Sequence, residues 1–339
     1  MKKKMISVGL AVAMVGTLAA CSGGSAGGAP AGGTELKLAT MYPEEHADVQ
    51  SVERAAAEIE KQTDGEVSIS VYPSNQLGDY TQVYEEVMAG TIDMATITIP
   101  TNFDERLEML TMPYLVTTFD EAKELYAPGS EFFNELNEIQ GEQGIETLNI
   151  YLDGFMGVGM VDPLSDPMDP GKKHPQLVRV PPVDSFLWTA EAMGYNTVSV
   201  PYADLYSALQ TGVADGWVGG SAYVNQTSFG DVIKQFVDSR YIMELVVTIV
   251  NKDTFESLTP EQQEIMQETF AAEALLVADE REALDEDAMK TMADAGIDIY
   301  EPTQDELDAM ATHVREVAWP KYEKVLGEEL LGVLMKAQN

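Results

Sequence analysis

The stretch "MAGTIDMA" at residues 88–95 and the stretch "LQTGVADGW" at residues 209–217 share one grammar: Gly closes a helical run, and Asp follows three positions later, just before an apolar strand. Glycine after a helix adopts a left-handed backbone without Cβ strain, so the chain can reverse directly into a strand. Each stretch sits in a series of short alternating elements. In the first half, "ELKLAT", "EVSISVYP" and "DMATITIP" read as strands, separated by the helical patterns "EHADVQSVERAAAEIEKQTDG" and "GDYTQVYEEVMAG". From Gly154 the logic repeats: "LVRVP", "NTVSVP" and "ADGWVGG" are strands, and "DSFLWTAEAMG" and "YADLYSALQTG" are helices ending at Gly194 and Gly212. Strand, helix, strand units this short point to parallel α/β pairing, with loops at the carboxyl ends of the strands placed to meet a ligand. Two such series predict two lobes with a cleft between them.

After Gly230 the pattern changes. "YIMELVVTIVN" is a long apolar strand able to cross between lobes, and a helical run of more than thirty residues follows from Pro260. Thr259 and Gln262 have the spacing of a capping box, with Pro260 at the first helical position. Such a helix can lie along both lobes as a spine. The tail after Thr303 reads as two helices divided at Pro320.

The first twenty residues stand apart. Lys2, Lys3 and Lys4 precede an apolar run from Ile6 to Leu18 that is short for a membrane span, the pattern of a secretion signal. "LAAC", ending at Cys21, resembles the lipobox of bacterial lipoproteins, in which the cysteine is lipidated. Cys21 is the chain's single cysteine, which excludes an intramolecular disulfide and makes a lipid anchor its expected use. "SGGSAGGAPAGG" then provides a flexible tether. These features divide the chain into a signal (1–20), a lipidated Cys and linker (21–33), a first lobe (34–153 plus 246–285) and a second lobe (154–245 plus 286–339). The chain is acidic: 57 Asp and Glu against 20 Lys and Arg give a formal net charge of −37. The acid is spread along helices as solvated faces, and it makes nucleic acid and anionic membrane surfaces poor partners.

No nucleophile elbow, phosphate loop, dinucleotide fingerprint or zincin motif occurs. His46, His174 and His313 are the three histidines and lie far apart in sequence, so no dense His/Cys metal site, no cofactor and no catalytic residue are predicted. The acidic composition leaves a carboxylate-only catalyst or a calcium site open. Scarce positive charge is more informative. Arg179, inside "LVRVPP", lies among apolar residues at a strand end, where a guanidinium needs an anionic partner: a carboxylate of the chain, or the carboxylate of a bound ligand.

Four stretches, "VYPSNQLGDYTQVYEEVMAGTIDMA", "LVRVPP", "VSVPYADLYSALQTGVADG" and "VVTIVNKDTFESL", together resemble the solute-binding proteins of tripartite ATP-independent periplasmic (TRAP) transporters, of the C4-dicarboxylate-receptor type. The resemblance runs from about Leu36 to the C-terminus and implies the fold class: an α/β, two-lobed periplasmic-binding-protein clamshell (class II-like), each lobe a mixed sheet flanked by helices. It also implies a receptor that captures a small organic acid and delivers it to a sodium-gradient-driven membrane permease, with Arg179 matching the family's ligand-carboxylate arginine and Gln76 its cleft loop. Many members carry a second arginine where this chain has Met156, and a Glu-Asn-Pro where this chain has Trp217, Val218, Gly219 and Gly220. These departures imply one carboxylate on Arg179 and a less charged remainder facing Met156, Trp217, Gly219 and Phe155. Glu44 and His46 after the first strand, and Tyr223, Asn225 and Glu244 on the opposite wall, complete the expected ligand contacts. A receptor for a membrane sensor kinase and a carboxylate-based extracytoplasmic enzyme are the alternative functions.

Overall fold

The computed structural model describes residues 33–336. Cys21, the signal and nearly all of the linker lie outside them.

The alternating elements form as the pattern dictates. In the first half they are β1 (Thr34–Thr40), α1 (Ala47–Gln62), β2 (Val67–Tyr72), α2 (Tyr80–Met88) and β3 (Met94–Ile97). Two short helices, α3 (Phe119–Leu125) and α4 (Glu131–Gly141), lead to β4 (Ile145–Phe155). The second series comprises β5 (Val158–Met160), β6 (Leu177–Val180), α5 (Asp184–Ala192), β7 (Asn196–Ser199), α6 (Tyr202–Thr211), β8 (Gly216–Val218), α7 (Ala222–Phe229) and β9 (Gln235–Val237). The chain closes with β10 (Met243–Asn251), α8 (Lys252–Glu256), α9 (Pro260–Asp294), β11 (Asp298–Tyr300) and α10 (Gln304–Lys336).

These strands make two sheets, ordered β2-β1-β3-β10-β4 and β11-β9-β5-β8-β6-β7. The short repeats pair in parallel as predicted, β1 with β2 and β3, β6 with β7 and β8. Both sheets become mixed through other strands: β10 runs antiparallel to β3 and β4, and β5 antiparallel to β8 and β9. The repeated Gly-x-x-Asp has one job in both lobes. Gly90 and Gly212 hold positive φ, 72° and 75°. The Asp that follows accepts the backbone N–H of the neighbouring parallel strand, Asp93 Oδ2 from Lys37 and Asp215 Oδ2 from Leu177, both at 2.8 Å. Each carboxylate thus supplies an acceptor to an N–H of β1 or β6 that the ladder would otherwise leave to water.

The chain passes between the sheets three times: from β4 to β5, from β9 to β10, and from β10 through α9 to β11. The first two crossovers run side by side, with Met156 N–H donating to the Ile242 carbonyl at 2.8 Å. The segment from Tyr241 to Ile242 makes the second crossing, and β10 itself belongs to the first sheet. The predicted spine helix is α9, whose capping box is complete: Thr259 and Gln262 each accept the other's backbone N–H. It packs on α1 and β4 of the first lobe and on α7 and β11 of the second. The tail differs from expectation. Pro320 lies inside α10, and the break falls at Gly327, with φ 80° and ψ 161°. Buried Trp319 and Tyr322 anchor the helix on both sides of the proline, with bonds to the Pro113 and Thr111 carbonyls, so packing holds the helix through the missing backbone donor.

Candidate functional site

Arg179 projects from the second-lobe sheet and is 3% exposed. Its Nε donates to the Val200 carbonyl at 2.7 Å, and its guanidinium lies 5.9 Å from the Tyr202 ring centre. Among the described residues no carboxylate pairs with it, and Nη1 and Nη2 have no hydrogen-bond partner, yet neither is sealed from water. Burial pulls its pKa down, with Tyr241 and Tyr202 opposing. Of the two partners the sequence left open, a carboxylate of the chain is absent among the described residues. A buried cation with a free planar fork is arranged to pair an anion from outside the chain.

Glu244 of β10, on the first-lobe sheet, is part-buried and, among the described residues, without hydrogen bond or ion pair. Burial and the Glu244 charge raise the hydroxyl pKa of Tyr202 and of Tyr241, and Arg179 opposes them. Burial, reinforced by Asp153, pushes the Glu244 carboxyl up to about 8, against the pull of Arg281. Met156, in the place of the family's second arginine, lies on the first crossover, its Sδ accepting from the Tyr241 hydroxyl at 3.4 Å.

Behind Glu244 lies a charged cluster that sequence reading missed. Arg281 of α9, 1% exposed, pairs closely with Asp153 of β4 and lies 4.0 Å from Asp48 of α1. Its Nη2 is 3.5 Å from His46 Nε2, and its guanidinium is 5.7 Å from the Tyr223 ring centre. His46 caps α1, with Nδ1 accepting from the Asp48 N–H, and stacks on Tyr42 with centroids 4.2 Å apart. Burial lowers the His46 pKa, so its ring is neutral near pH 7. Burial raises Asp48 well above the usual carboxylate range, and raises Asp285 to about 7 although the Tyr223 N–H donates to it at 3.0 Å. His46, Asp48 and Asp153 bring potential ligand atoms within 4.8 Å of one another, but the Arg281 guanidinium already fills the place a metal ion would take.

The remaining sequence-predicted residues fall elsewhere. Trp217 is 2% exposed in the second-lobe core, its Nε1 donating to Asn225 at 2.9 Å. Asn225 in turn donates to the carbonyls of Gly219, Gly220 and Ser221, so this pair shapes the loop after β8. Gly219 joins that loop to the crossover, its N–H donating to Gly157. Phe155 is buried edge-on against Phe119, with ring centres 5.3 Å apart. Gln76 and Glu44 are exposed on the loops after β2 and β1. Tyr223 leans on Arg281 instead of Arg179.

Gly154, at the head of the first crossover, explains the local route. Its φ is +100°, and a Cβ there would stand 2.5 Å from Asp285 Oδ2 and 2.7 Å from Ser221 Cβ. Gly154→Ala is expected to cost about 2 kcal/mol or more, from positive φ plus the clash, and a thermal melt read beside wild type checks it. A change in melting temperature of less than a degree would show that the crossover relaxes freely.

Two mixed α/β lobes, two adjoining crossovers and an interlobe space holding an unpaired guanidinium define the class of two-lobed solute receptors. The chain belongs to the bacterial extracellular solute-binding proteins of family 7, whose model matches residues 38–324. It is 23% identical to the ectoine-binding periplasmic protein TeaA of Halomonas elongata over 68% of each chain. It is 24% identical to the sialic acid-binding periplasmic protein SiaP of Vibrio cholerae over 69% of this chain and 72% of that one. A TRAP periplasmic solute-binding protein from Desulfovibrio salexigens, solved with bound orotic acid, superposes with a TM-score of 0.78 at 23% identity, covering 90% of this chain and 98% of that one. The two-lobed fold and membership of family 7 are thereby established. The family is extracytoplasmic and its members are receptors, not enzymes.

Proposed function

We propose that the chain captures a small organic acid between its lobes, pairs the acid's carboxylate with Arg179, and delivers it to a sodium-gradient-driven TRAP permease. The observation that carries this reading is the buried guanidinium with, among the described residues, two free nitrogens and no carboxylate pairing with it. Met156 in place of a second arginine favours a single carboxylate at this end of the ligand. The lobes, with β4 and β10 wholly in the first (34–155 with 243–285, against 156–242 with 286–339), are the units that would rotate about the crossovers, closing because the closed form alone surrounds the ligand. Cys21 would hold the receptor to the membrane through its lipid.

A thermal-shift screen tests this directly. Organic acids should raise the melting temperature by mass action, and neutral polyols and simple amines of the same size should not. Shifts with neutral or cationic compounds alone would overturn the carboxylate reading.

A further inference from the structure

We infer that residues 111–114 form a strap across the hinge: in chain order they belong to the first lobe, yet α10 holds them in one cooperative unit with the second. The inference concerns how the lobes are fastened and is independent of what the cleft binds. Hydrogen bonds carry it. The Tyr322 hydroxyl donates to the Thr111 carbonyl at 2.9 Å, and Trp319 Nε1 to the Pro113 carbonyl at 3.0 Å. Arg315 places both Nε and Nη2 on the Tyr114 carbonyl, at 3.1 and 2.6 Å. Thr111 Oγ1 donates to Ser185 Oγ of α5 at 3.1 Å. The helix that grips the strap is itself fixed to α5, with Lys321 3.7 Å from Glu191 and the Tyr322 ring edge-on to Trp188 at 5.5 Å.

On either side of the strap the chain is tied to the first lobe. Arg106 Nη2 donates to Glu142, just past α4, at 2.6 Å, and the Thr117 N–H donates to Glu121 of α3 at 2.8 Å. The run into the strap, Glu105–Thr111, is a 3₁₀ helix of seven residues. Hydrogen bonds in such a helix are poorly aligned and runs of this length are uncommon, so it is the part that yields most readily when its ends are moved apart. The strap is the stiff part. Tyr114 is fully buried with φ at 57°, and its N–H donates at 2.6 Å to the carbonyl of Tyr241 on the second crossover, beside Arg240 at φ 47°. Left-handed backbone at two bulky residues persists only where the surroundings over-determine it. The charged fork of Arg315 on the Tyr114 carbonyl supplies that constraint. Rotation about the crossovers would then carry residues 111–114 with the second lobe and take up the movement in the 3₁₀ helix.

Hydrogen exchange read by mass spectrometry in low urea tests the cooperative unit, because amides that open together lose protection together. The full chain is compared with two mild core variants: Ile59→Val in α1 of the first lobe, and Ile233→Val between α7 and β9 of the second. These isoleucines sit in separate buried clusters. Ile233→Val is expected to speed exchange about threefold or more in second-lobe peptides and by the same factor at 111–114. Ile59→Val should do so in first-lobe peptides and leave 111–114 unchanged. Arg315→Ala should speed exchange at 111–114 and uncouple it, so that adding Ile233→Val has no further effect there. A strap that follows Ile59→Val, both variants or neither overturns the proposal. Coupling to Ile233→Val that persists in Arg315→Ala overturns the role of the arginine.

Discussion

Arg179→Ala should weaken binding of the acid by about 3–5 kcal/mol, a loss of roughly a hundredfold to several thousandfold. The size follows from leaving a carboxylate uncompensated inside a closed cleft, where truncation of one partner exposes the full desolvation penalty of the other. The same substitution should scarcely change the stability of the free protein. In the free chain the guanidinium gives up one hydrogen bond to the Val200 carbonyl and a ring contact with Tyr202, while the cost of burying an unpaired cation disappears. Arg179→Lys should fall between, because an ammonium keeps the charge but not the fork that holds two oxygens while Nε stays on Val200. Calorimetric titration of a bound acid, paired with thermal melts of the ligand-free variants, reads both quantities. Affinity retained in Arg179→Ala would remove the arginine from the site, and a collapse of the melting temperature would make it a structural residue.

How legible this site was depends on where each charge sits in its element. Arg179 announced itself because it interrupts a short apolar strand, a place where burial is nearly forced. Arg281 did not, because it lies in "EREALDED" on a long helix that reads as a solvated face throughout. Its burial comes from Asp48 and Asp153, brought in by elements far away in sequence, and no local pattern records that meeting. Trp217 failed in the opposite sense. Its neighbourhood of glycines looks like a ligand loop, yet the glycines are there because a Cβ at Gly219 or Gly220 would stand 2.6 or 2.5 Å from the indole. The alternating elements, the long capped helix and both Gly-x-x-Asp turns were readable because backbone hydrogen bonds and caps are short-range. The antiparallel insertion of β10 and the break at Gly327 were not, since tertiary packing chose them.

The second large effect is on stability against pH, and it runs opposite to ordinary acid denaturation. Glu244 and Asp285 have carboxyls raised by burial to about 8 and about 7, whereas in the unfolded chain they titrate in the usual carboxylate range. Between those limits the native state holds protons that the unfolded state has released, so lowering the pH favours the native state. A displacement of this size is worth about 4–5 kcal/mol per group at most. The ligand-free protein should therefore gain several kcal/mol of stability as pH falls from about 8 to about 5. Below that window the trend should reverse, as Asp104, held low by its hydrogen bonds from Arg106, takes up its proton. Urea melts across this pH range measure the slope directly. Glu244→Gln should make it shallower and raise stability at pH 8, leaving the part due to Asp285. A wild-type profile that is level from pH 5 to 8 would mean that water or neighbouring charge compensates these carboxylates in the empty receptor. Stability that falls toward pH 8 less steeply in Glu244→Gln than in wild type assigns the difference to burial of that carboxyl, and the slope that remains to Asp285.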